Sequence, residues 1–150
     1  MKRTTYLTAA GVMSALIGLL HLVIIFVGSP GYLYFGAGKE MADAAASGSL
    51  IPPAITLFVA MVFFLFAAYA YSGAGRTKKL PGLKVALAAI ALIFLLRGIS
   101  VFGNIASYLA APDYPFRYVI FSLVSLGVGI LYALGFFQYL RTAQKQKTPA

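Results

Sequence analysis

The chain has 150 residues, 61% of them hydrophobic and only 10% charged, with no cysteine, one histidine and a formal net charge of +9. Water-soluble domains carry about a quarter charged residues, so this composition excludes an ordinary soluble globule. The absence of cysteine excludes disulfides, thiolate metal sites and thiol nucleophiles.

The first apolar run covers roughly Tyr6–Val27, long enough for a membrane helix, which needs about 20 apolar residues. Lys2 and Arg3 precede it as they would a secretory signal, but the apolar stretch is too long and no small-residue cleavage pattern follows. It therefore reads as a retained helix. Gly11, Ser14, Ala15 and Gly18 fall on one of its faces, a stripe that lets helix backbones approach closely in lipid. His21 lies farther along the same run.

The connection from Gly28 to Pro52 is too long to stay structureless in a compact protein. Within it, good helix formers from Lys39 to Ala46 follow Gly36 and Gly38 and precede Ser47 and Gly48, which predicts one short helix over the mouth of a bundle. Glu40 and Asp43 share a face of that helix. They read as a solvated surface, for instance with Asp43 paired to Lys39, or as counter-charges and a gate over a polar cavity. Gly36-Ala-Gly-Lys39 is no phosphate loop: Leu33 stands where that motif needs glycine, and Glu40 stands where it needs Ser or Thr.

The second run, Pro53–Tyr71, leads to the basic turn Ser72–Pro81, and the third spans Gly82–Gly103. The brief connection Tyr108–Pro115 precedes the fourth run, Phe116–Leu140, with a second small-residue stripe at Ser122, Ser125, Gly129 and Ala133. Residues 141–150 form a basic tail. Prolines fall at helix edges or in connections, where their missing N–H costs little. The fold class expected is an all-α membrane protein, a single-domain bundle of four transmembrane helices with a short helix in the first outer loop.

Charge orients the bundle. Lys2, Arg3, Arg76, Lys78, Lys79, Lys84, Arg141, Lys145 and Lys147 all fall on one side of it, whereas Lys39, Arg117, Glu40, Asp43 and Asp113 fall on the other. This is the positive-inside pattern, with both termini in the cytoplasm. Topology and anionic headgroups account for the basic balance, so no nucleic-acid partner is expected. Tyrosines near both boundaries supply the interfacial belts in a chain without tryptophan.

Lys84 and Arg117 stand at the very starts of their runs, so Arg97 is the only charge in the interior of the four; hydrocarbon penalises an unpaired cation, which makes it the leading functional candidate. It lies ~22 Å along the third run at about 1.5 Å per residue, and His21 on the first run comes out at nearly the same depth. Arg97, Ser100, Asn104 and Tyr108 recur at steps of three and four, forming a polar line toward the acidic loop. Helical side chains lean toward the helix N-terminus, here toward the bilayer centre, so Arg97 needs a partner or water. The competing reading is an anchor that snorkels to headgroups or pairs with Asp113. A lone histidine in a bundle is most often a hydrogen-bonded core residue. A zinc site would need His21 with Glu40 and Asp43, but their spacing matches no ligand pattern. No metal or cofactor is expected, and no catalytic motif is present.

His21, the Phe35-Gly-Ala-Gly-Lys-Glu-Met-Ala42 loop, the Ser72-Gly-Ala-Gly75 turn and Leu95-Leu-Arg-Gly98 together give the chain a family likeness. It resembles, over most of its length, small four-helix inner-membrane proteins of bacteria that carry no assigned activity. In general plan it is similar to DoxX-like membrane proteins. The resemblance implies a multi-pass protein of the bacterial inner membrane and no particular reaction.

The function expected is binding, with transport as an extension, of a small anionic or amphiphilic ligand in an outward-facing pocket. Arg97 would supply charge, His21, Ser100 and Asn104 hydrogen bonds, and Glu40 or Asp43 a gate. A homodimer would supply symmetry that the chain lacks, since it shows no inverted repeat or broken helix. The runner-up is an accessory subunit of a larger membrane complex. A third reading is a small lipid-acting enzyme with His21 and Glu40 as acid–base groups.

Overall fold

The structure, a computed structural model, describes residues 5–111 and 113–145. Lys2, Arg3, Pro112 and Lys147, on which part of the charge and boundary reading rests, lie outside the described residues. Among the described residues there are six helices and no strand: α1 Thr5–Val27, α2 Ser29–Tyr34, α3 Lys39–Ala46, α4 Ile51–Gly73, α5 Leu83–Ala110 and α6 Arg117–Lys145. Four of them, α1, α4, α5 and α6, are long and apolar enough to cross a membrane.

The fourth run is expected to end at Leu140, yet α6 continues to Lys145, so the first residues of the expected tail are helical. Two further differences have identifiable reasons. The third run is expected to stop at Gly103, yet α5 continues to Ala110. The polar Asn104 does not break it, because its amide hydrogen-bonds across to α6. The Gly28–Pro52 connection is expected to hold one helix and holds two. Gly28, at φ 72°, redirects the chain after α1, and proline in the first turn starts α2.

The contacts divide the chain into two units, Met1–Val12 with Ala68–Ala150, and Met13–Ala67. In the first, all four long helices meet around Leu7, which is fully buried. A methyl group added at Gly73 would lie 2.8 Å from both Leu7 and Leu87, and one added at Gly135 would lie 2.5 Å from Leu7. Glycine at these points is what lets the helices close. α5 turns inward a stripe of Leu83, Leu87, Ile90, Phe94, Gly98 and Val101, the three-and-four spacing of a helix with one buried face. Phe94 stacks on Tyr132 of α6 with ring centroids 5.8 Å apart.

The turn between α4 and α5 is pinned. The buried Ser72 hydroxyl donates to the Lys78 carbonyl at 3.0 Å and accepts from the Leu80 amide at 2.9 Å. The Tyr69 hydroxyl donates to the Pro81 carbonyl at 3.2 Å, and Arg76 donates through Nε to Thr8 Oγ1 at 3.0 Å. Gly82, in the left-handed region at φ 63°, then admits α5. Ser72→Ala removes both a donor and an acceptor from a buried place, so it is expected to cost about 1–3 kcal/mol. Faster hydrogen exchange at the Leu80 amide would report the loosened turn, and unchanged exchange would contradict it.

In the second unit, Ile24 of α1, Tyr32 of α2 and Ala42 of α3 form a small core, with Phe35 and Ala45 packed against it. The α2–α3 hairpin is closed by the Ala37 amide donating to the Tyr32 carbonyl at 2.9 Å. Gly18 brings α1 close to α4, where an added methyl would lie 3.1 Å from Phe64 and 3.3 Å from the Ala60 carbonyl oxygen. The small-residue stripe of α1 thus lies at helix contacts, with Gly11, Ser14 and Gly18 buried.

Candidate functional site on α5

Which way Arg97 faces is decided by its neighbour. A Cβ built on Gly98 would lie 2.5 Å from the Leu126 Cα and 2.7 Å from its backbone nitrogen, so the α5 and α6 backbones touch there. Gly129 repeats the approach from the other side, 2.9 Å from the Leu95 nitrogen. With Gly98 held inward, the preceding residue is rotated by about 100° along a 3.6-residue turn. Arg97 is accordingly exposed. On its own face, three, four and seven residues away, Phe94, Val101 and Ile90 are buried and Ile93 is 51% exposed, so Arg97 stands at the margin of the buried stripe. The exposed Arg97 thus sits at mid-helix beside apolar side chains. Among the described residues of its unit it meets no carboxylate and no hydrogen-bond acceptor.

Ser100 and Asn104 point their polar atoms toward α6. The Asn104 amide donates to the Tyr118 carbonyl at 3.1 Å and to Ser122 Oγ at 2.7 Å, and its oxygen accepts from the Tyr114 hydroxyl at 2.7 Å. Ser100 donates to the Arg97 carbonyl and lies 2.9 Å from Ser122 Oγ. Because the single Ser100 proton is used on Arg97, Ser122 is the donor between the two hydroxyls. Donors therefore run one way, from the Asn104 amide through Ser122 and Ser100 to the main chain of Arg97. Every polar atom of Asn104 is engaged, as a polar group within a membrane helix requires.

His21, Glu40 and Asp43 belong to the second unit, whereas Arg97, Ser100 and Asn104 belong to the first. The structure brings Ser100 and Asn104 together through Ser122 and ties Arg97 to them only through its carbonyl. His21 is half-buried, with Nδ1 2.8 Å from the Ile17 carbonyl and its ring 5.0 Å from that of Phe63. Glu40 and Asp43 are exposed on α3, and among the described residues neither pairs with Lys39. No three His, Asp or Glu side chains gather closely enough among the described residues to hold a metal ion.

Sequence reasoning missed Ser122 and Tyr114 as members of the polar row. Ser122 is read there as a packing residue in a small-residue stripe, and Tyr114 as an interfacial anchor. A serine pair on facing helices was the available signal, but it speaks only once α5 and α6 are set side by side. Compared with protein-family models, with curated proteins and with solved structures, the chain matches none.

Proposed function

We propose that the chain is a four-span protein of the bacterial inner membrane, with both termini in the cytoplasm, that binds an anionic amphiphile from the bilayer through Arg97. The orientation is supported by the distribution of lysine and arginine along the sequence, and the bacterial membrane by the resemblance carried by its loops. The observation that carries the ligand reading is an exposed arginine at mid-helix among apolar side chains, with no carboxylate beside it among the described residues of its unit. A cation there costs about 2.5–3.5 kcal/mol on insertion scales, and a carboxylate or phosphate whose apolar tail lies along the helix beside Ile93 offsets that cost. Ser100 and Asn104 hold α5 against α6 and so steady the surface that presents Arg97.

Oleate is the direct probe, with methyl oleate as its uncharged control. At about one hundred times Kd a ligand that binds only the folded state adds about 2.7 kcal/mol, readable as a rise in Tm of protein in neutral detergent. Oleate should raise Tm, methyl oleate should not, and Arg97→Gln should abolish the rise while folding normally. An equal oleate shift in Arg97→Gln would sink the reading.

The same exposed guanidinium also suits the accessory-subunit reading, in which a carboxylate on a partner helix meets Arg97. Stoichiometric copurification with another membrane subunit, lost in Arg97→Gln, together with indifference to oleate, would establish that reading instead.

A further inference from the structure

At one end of the first unit a cleft of about 770 Å³ opens between the turn leading into α5 and the last turns of α6. That size falls within the range of about 300–1,000 Å³ common to small-molecule sites. One wall is the segment Lys79–Val85, and the other is Tyr139, Leu140, Ala143 and Gln144. Among the described residues Lys79 and Lys84 are the only charged ones lining it, and no acid does. Tyr139 and Gln144 add neutral hydrogen-bonding groups on the opposite wall. We propose that this cleft is a binding site for a phosphate group, with Lys79 and Lys84 supplying its charge.

Three features argue for a built site over two stray surface lysines. The wall that carries Lys79 is fixed on both sides: Ser72, itself 2% exposed, grips the residues on either side of it, Lys78 and Leu80. Tyr69 holds Pro81 from the same helix. The connection is therefore set before any ligand arrives, which spares the ordering cost that a loose loop would incur on binding. The cleft also receives the start of α5. Gly82 gives that helix no side-chain cap, so the amides of its first turn retain donor capacity where Leu83, Lys84 and Val85 line the cleft. Lastly, Leu80, Val85, Leu140 and Ala143 make the remaining lining apolar, and Lys78, Arg76 and Arg141 lie close by in sequence without lining it. Two cations on one wall among apolar lining residues suit a phosphate that carries a hydrophobic or glycerol substituent. In the topology proposed above the cleft lies at the cytoplasmic boundary, where basic pockets between membrane helices take anionic headgroups.

The phosphate could belong to a membrane lipid or to a soluble ester, and two arms separate these sources. In neutral detergent, glycerol 3-phosphate is titrated and followed by the Tm of the full chain. In nanodiscs of phosphatidylcholine, phosphatidylglycerol is added as a stated fraction of the lipid and Tm is followed again. Stabilisation in the first arm assigns a soluble phosphate ester, and stabilisation in the second alone assigns the lipid headgroup. In either arm the double variant Lys79→Gln/Lys84→Gln should weaken apparent affinity at least tenfold. The double Lys→Arg variant should restore most of it, and Lys78→Gln, a cation outside the lining, should leave it intact. Arg97→Gln should also leave it intact, so loss of the Arg97 reading and loss of this one are told apart. No stabilisation in either arm, or equal weakening by Lys78→Gln, would overturn the proposal, the latter by revealing diffuse attraction with no defined cleft.

Discussion

Gly98→Ala should destabilise the protein by about 1–3 kcal/mol, the usual cost of forcing one extra carbon into a filled contact. The added methyl would stand 2.5 Å from Leu126 Cα, and that atom belongs to a backbone that cannot rotate away. The cost would differ at Gly73, where the obstructing atoms are the side-chain ends of Leu7 and Leu87. Two built-in controls make the test sharp. Gly103 on the same helix and Gly127 on α6 have open space where a methyl would go. Replacing either with alanine should be neutral or stabilising by up to about 1 kcal/mol, because alanine favours the helix. Denaturation of the three variants in mixed detergent, followed by circular dichroism, gives the comparison. Equal stability of Gly98→Ala and Gly103→Ala would mean that α5 and α6 do not touch at Leu126. Gly98→Ala should also disturb oleate binding, since the same contact turns Arg97 outward.

Asn104→Leu carries the second large effect. The substitution removes two donated bonds and one accepted bond, and leaves the Tyr114 hydroxyl and the Tyr118 carbonyl without that partner. Interhelical hydrogen bonds in membranes average about 0.6 kcal/mol each and reach about 1.7, so a total of about 2–3 kcal/mol is expected for the three. A double-mutant cycle with Ser122→Ala isolates the direct bond: the two losses should be markedly non-additive, because each variant removes the same contact. Additive losses would show that the bond contributes nothing measurable. Asn104→Leu should leave oleate recognition largely in place, since the charge on Arg97 is untouched. That separates residues that hold the helices from the one proposed to hold the ligand.

The four long helices were legible because a membrane helix announces itself by length and apolarity alone, without reference to its neighbours. The ends were less so. Hydropathy ends the third run at Gly103 although the polar line runs on through Asn104 to Tyr108, and the six-residue α2 depends on the turn at Gly28, which hydropathy does not register. That Arg97, Ser100 and Asn104 share one side of α5 could be read from their spacing. Where that side points could not. The deciding residue is Gly98, whose lack of a side chain gives no hydropathy signal yet dictates the closest contact on the helix. The basic cleft escaped for a different reason: Lys79 and Lys84 were read as topology markers, and their placement opposite Tyr139 and Gln144 brings together residues some 60 positions apart.

The one-way row of donors between α5 and α6 has a further consequence for how these helices find each other. Apolar side chains on two membrane helices tolerate sliding, because leucine against isoleucine differs little from leucine against valine. Asn104 does not tolerate it. Its amide is oriented by the Tyr118 carbonyl, which accepts and cannot donate, so turning the amide over would set two oxygens face to face. Sliding α6 by a single turn would separate Asn104 from Tyr118, Ser122 and Tyr114 at once, stranding polar groups in hydrocarbon. The row thus acts as a key that selects one alignment of α5 and α6 from several that the apolar surfaces alone would accept.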